Sequence, residues 1–108
     1  MFDSRFGDVM SEDPLNVFKK VDSEFFRKIE SSRDFTFADG GLSRKYKLLI
    51  AMALDASVGA VEGVRVLAQS AIDDGATKKE IAEVLRVTNY ISGVGSTYTA
   101  AHALKDIL

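Results

Sequence analysis

The chain contains no cysteine and no tryptophan, and only one histidine and one proline in 108 residues. Without cysteine there are no disulfides, no thiolate nucleophiles and no thiolate metal sites, and redox chemistry gives no clue to the compartment. The lone histidine, His102, rules out a histidine-rich metal centre, so no metal or other cofactor is expected. Charge of one sign is scarce as well. Fourteen basic residues stand against sixteen acidic ones, and a net charge of −2 offers no long-range attraction for nucleic acid or an anionic membrane. Long apolar runs are missing too: the longest, Leu48 to Leu54, has seven residues, far short of the ~20 that span a bilayer. The opening "MFDSRFGDVM" mixes acids into its apolar residues, which is not the pattern of a signal peptide. A cytoplasmic location is the default expectation, and the length suits one core, a single domain over residues 1–108.

No stretch alternates with the period-two pattern of a strand, whereas three- and four-residue steps recur, so the expected fold is all-helical. Residues 1–13 read as an N-terminal arm anchored by Phe2 and Phe6. Asp13 and Pro14 then suit the start of a helix, since proline's missing N–H costs nothing in a first turn. Leu15, Phe18, Val21, Phe25 and Ile29 form one apolar stripe along it, and "SSRDFTFADGG" breaks it. Ser43 is placed to cap a second helix, "RKYKLLIAMALDAS", whose apolar middle predicts enclosure by neighbours and which Gly59 can end. A third runs from about Ala60 to Asp74 and stops at Gly75. Thr77 and Glu80 make a capping box for a fourth. After "SGVGS", a last helix covers "TYTAAHALKDIL", giving about five in all. "SGVGS" lacks a third glycine and follows a helix, which excludes a dinucleotide-binding loop; Gly93 and Gly95 suit a tight join and close packing.

Two segments carry a resemblance. "LSRKYKLLIAMAL" is a lysine-bearing helix start that runs into a buried apolar helix. "SAIDDGATKKEIAEVLRVTNYISGVGSTYTAAHAL" is a helix ending in Gly-Ala-Thr, a capped helix, and a glycine-punctuated join to an alanine-rich helix. Over about residues 42–104 the chain resembles the carboxymuconolactone decarboxylase family, which also contains alkylhydroperoxidase D. The resemblance implies that family's helical bundle. It also implies assembly of identical subunits, as trimers or hexamers, with pockets near subunit contacts. In the thiol-peroxidase branch a glutamate on one helix precedes a Cys-x-x-Cys-x-x-x-His motif on the next. Counting from Gly75-Ala76-Thr77 and from Lys45, those positions fall on Leu48, Ala60, Gly63 and Leu67. All four are inert here, so the motif's face becomes an apolar pocket wall. A thiol-dependent peroxidase mechanism is excluded for this chain, and the histidine usual in the decarboxylase branch is absent too.

The remaining polar candidates each carry two readings. Asp55 shares the Leu48 face about 10 Å further along the helix. It reads either as a carboxylate facing the opening of the third helix or as a cap for N–H groups after Gly59. Glu62, with Arg65, Gln69 and Asp73, reads as a substrate contact or as part of a solvated stripe. His102 follows Tyr98 by one turn and reads as half of an acid–base couple or as a surface histidine. Lys45, Lys47, Arg44, Lys78 and Lys79 read as solvated helix starts. Three functions follow: a family enzyme acting without thiols on a small organic acid, a holder of a small hydrophobic ligand, or a structural oligomer. Ile107 and Leu108 suit a buried or interfacial end.

Overall fold

The computed structural model describes residues 13–108, and among them every regular element is a helix. In chain order these are α1 (Asn16–Val21), α2 (Ser23–Phe37), α3 (Arg44–Ser57), α4 (Val61–Asp73), α5 (Lys78–Ser92) and α6 (Val94–Leu104). The arm expected over residues 1–13, with its anchors Phe2 and Phe6, lies outside the described residues apart from Asp13.

The hairpin of α3 and α4 forms the centre, with the most extensive helix–helix contact in the molecule. Its turn is a Schellman motif. The Ala60 N–H donates to the Asp55 carbonyl at 2.9 Å and the Gly59 N–H to the Ala56 carbonyl at 3.2 Å, with Gly59 at φ 79°. The end of α4 repeats the device around Gly75, with Ala76 N–H to Ala71 carbonyl and Gly75 N–H to Ile72 carbonyl. The Thr77–Glu80 capping box is fully formed at the head of α5. The core runs through Leu48, Met52, Val64 and Ile81, all fully buried, with small residues such as Ala100 and Ala103 letting α6 pack closely.

Several expectations are corrected. The first helix is two, because Asp22 leaves the helical region (φ −154°, ψ 84°) and its carboxylate accepts the Phe25 N–H, capping α2. That break turns the expected stripe: Phe26, not Phe25, is buried, and Val21 is exposed. Asp13 closes a turn by accepting the Leu15 N–H, and α1 starts only at Asn16. "SSRDFTF" does not break α2, which continues to Phe37, where the ring packs against the core and under Arg44. Ser43 occupies the cap position of α3 without a side-chain bond; the Asp39 carboxylate accepts the Arg44 N–H instead, at 2.6 Å.

The basic residues at the head of α3 are not simply solvated. Arg44 pairs with Asp74 at 3.1 Å, Lys45 with Glu80 at 3.1 Å, and Lys47 donates to the Ala38 carbonyl. They tie α3 to the end of α4, the start of α5 and the end of α2. The last helix begins at Val94 and ends at Leu104, one residue after α5 stops; Gly93, at φ 88°, makes that join. Gly95 has open space where a side chain would stand, so close packing is not its role. Nor is the apolar middle of α3 enclosed all round, since Tyr46, Ile50 and Leu54 form an exposed stripe along it. Ile107 packs on the core edge, while Leu108 is half exposed.

Candidate functional site

Against the α3–α4 hairpin, under α2, lies an open pocket of about 530 Å³. Its floor is apolar, from Ala51, Leu54, Val66 and Leu67, and Phe37 and Leu15 close it from the other side. Four charged side chains line it, each from a different part of the chain: Asp55 from the end of α3, Glu62 from the first turn of α4, Arg33 from α2 and Asp13 from the segment before α1. The hairpin turn produces this meeting. Reversing the chain within three residues after Ser57 brings the last turn of α3 alongside the first turn of α4.

Asp55 is half-buried, and its carboxylate rests on Gly63. The capping alternative is corrected in one respect. It is the backbone carbonyl of Asp55 that takes the Ala60 N–H, while no described residue donates a hydrogen bond to the carboxylate. Loss of hydration among apolar neighbours pushes the Asp55 carboxyl above its ordinary range. Glu62 shows the opposite behaviour. A hydrogen bond from Arg65 at 2.9 Å, and then its charge, hold Glu62 below the usual carboxylate value. Of the three acids on the pocket, Asp55 and Glu62 have titrations moved in opposite directions, an arrangement suited to one group carrying a proton while the other stays ionised. Burial lowers the Arg33 titration against the opposing pull of Asp13 and Glu30, but an arginine remains cationic in a protein.

The pocket-wall residues divide. Gly63 and Leu67 line the pocket, Ala60 stands half-buried at the cap of α4, and Leu48 lies fully buried in the core. The face where the resemblance puts the family's motif is thus partly a wall and partly packed solid. Gln69 and Asp73 pair with each other on the surface. His102 and Tyr98 are exposed and line none of the described pockets. Among the described residues, no group of three histidine or carboxylate side chains gathers as a metal site, and no helix is long and apolar enough to cross a membrane.

Sequence reasoning missed Arg33 and Phe37, because it ended the first helix at "SSRD". The available signal was the three- and four-residue spacing of Phe26, Ile29, Arg33 and Phe37, which continues one helical face through the serines.

A second, larger groove of about 730 Å³ opens between α3 and α5. Leu42, Tyr46, Ile50 and Leu54 line one side, and Val84, Val87 and Ile91 the other.

The profile of the carboxymuconolactone decarboxylase family matches residues 23–106. Among solved structures, the chain is similar to an apo carboxymuconolactone decarboxylase family protein from Legionella pneumophila. The TM-score is 0.82 at 28% identity, over 95% of this chain and 94% of the other. No curated protein matches the chain significantly. The match begins at the head of α2 and so takes in the helix that covers the Asp55 pocket. With family profile, fold and helix order in agreement, this chain belongs to the carboxymuconolactone decarboxylase family, as a member without any cysteine.

Proposed function

We propose that this protein acts without thiols on a small organic acid, with Asp55 as the group that gives or takes the proton. The observation that carries this reading is the Asp55 carboxyl, half-buried on an apolar wall and open to a pocket that Arg33 also lines. A carboxyl whose titration is moved up toward neutrality serves as a general acid better than an ordinary one. The positive charge of Arg33 on the same pocket favours an anionic substrate. Glu62, held ionised by Arg65, favours substrates that present a neutral or cationic edge on that side. In a decarboxylation of this kind the bond from carbon to a substrate carboxylate breaks, CO2 leaves, the electron pair left on that carbon takes the Asp55 proton, and solvent restores the proton to Asp55.

Amide NMR spectra recorded during titration with C4–C6 dicarboxylates, with cyclohexane as a neutral apolar control, test this. Saturable shifts at Gly63, Leu67 and Arg33 with the acids, weakening as pH rises through the Asp55 titration, are expected. Saturation by cyclohexane alone would overturn the reading in favour of a holder of hydrophobic ligands. An absence of shifts up to millimolar acid would overturn it in favour of a structural role.

We also propose that a second copy of the chain covers the α3–α5 groove, in a trimer or hexamer. The support is the apolar stripe of Tyr46, Ile50 and Leu54 facing Val87 and Ile91, with Ile91 74% and Leu54 63% exposed. A contiguous apolar surface of this kind on one subunit marks an interaction site. Light scattering coupled to size exclusion should give a multiple of 11.8 kDa. A monomer peak that persists across concentrations would remove the idea.

A further inference from the structure

We infer that Gly63 is a positioning residue: the space where its side chain would stand is the seat that holds the Asp55 carboxylate against the pocket. This rests on the reading of Asp55 given above and deepens it. Gly63 sits in the first turn of α4, in a helix that glycine weakens relative to alanine. Its backbone gives no reason for glycine, since the positive-φ glycines are Gly59, Gly75 and Gly93. Space does. A Cβ added at position 63 would collide with Asp55 Oδ2 and stand 2.8 Å from its Cγ and 3.5 Å from its Cβ. Gly95, by contrast, has nothing within 4 Å of the same position, so the fit at Gly63 is particular to that site.

The consequence is that α4 is notched where α3 presents its acid. With the notch filled, the carboxylate has to leave for water, because apolar Leu54, Val66 and Leu67 line the wall around it. With the notch open, Asp55 stays on the wall, facing Glu62 from α4, Arg33 from α2 and Asp13 from the segment before α1. Those groups and the wall set its titration together. Only the notch decides whether it is on the wall at all.

The test is a two-by-two set of variants: wild type, Gly63→Ala, Asp55→Ala and the double variant. Carboxyl NMR follows the Asp55 titration, and thermal melting follows stability. In Gly63→Ala the Asp55 midpoint is expected to fall toward its ordinary 3.8. Gly63→Ala should leave Tm unchanged or lower when Asp55 is present, and raise it by a few degrees in the Asp55→Ala background. If Gly63→Ala fails to fold, a folded double variant supports the seat, and failure of both overturns it. An equal rise in Tm in both backgrounds, with the Asp55 midpoint unmoved, also overturns it. The outcome is independent of the organic-acid titration. A wild type that binds no dicarboxylate but whose Asp55 shifts on Gly63→Ala leaves the seat standing and removes the proposed activity. The reverse result removes the seat alone.

Discussion

Leu48→Glu is expected to cost about 3–5 kcal/mol at neutral pH, enough to unfold much of the population of a domain with ordinary stability. Leu48 is 0% exposed and belongs to the central core cluster with Met52, Val64 and Ile81. A carboxylate placed there loses its hydration and gains no partner, so the folded state favours the neutral acid. Its folded-state titration is therefore raised above the unfolded value of about 4.3. The variant is most stable below that value, loses stability as pH climbs through the interval up to the raised midpoint, and changes no further above it. Leu48→Ala provides the comparison, a loss of about 2–5 kcal/mol from the cavity alone with no such pH dependence. Urea denaturation at pH 4 and pH 7 distinguishes the two. A pH-independent loss below about 2 kcal/mol for Leu48→Glu would mean that this position opens to water. The position matters because the resemblance puts the family's glutamate there.

Asp55→Asn is expected to slow proton transfer to or from a bound organic acid by about 10²–10⁴-fold, the usual contribution of one positioned acid or base. Deuterium incorporation from solvent into the bound dicarboxylate, followed by NMR, measures it. The same substitution should improve stability at neutral pH. Burial raises the folded Asp55 titration above the unfolded value near 3.8, so the unfolded chain ionises first. Wild-type stability contributed by this group is fully present below pH 3.8 and falls as pH rises through the raised folded midpoint. The amide does not ionise, so the variant should match wild type in acid and exceed it at pH 7. Gain of stability together with loss of activity is the signature of a strained functional group. If Asp55→Asn lowers stability at pH 7 and leaves exchange intact, Asp55 is structural.

The helical class, the Thr77–Glu80 capping box, the stops at Gly59 and Gly75, and the absence of a thiol were legible from the residues alone. Each depends on groups within a few positions of one another, or on composition, and such local rules survive whatever the rest of the chain does.

Tertiary structure decided what spacing could not express. Asp55 and Gly63 are eight positions apart on different helices, and only the closed hairpin shows that one fits the notch left by the other. Arg33 reaches the same pocket from α2 because Phe37 packs onto the core and extends a helix that its serines would otherwise end. Leu48 and Leu67 look alike in sequence, yet one is sealed in the core and the other touches the pocket. The exposed stripe of α3 was invisible for the same reason. An apolar residue states that it favours burial, but which neighbour buries it, or whether the single chain supplies one, is settled only when helices meet in space.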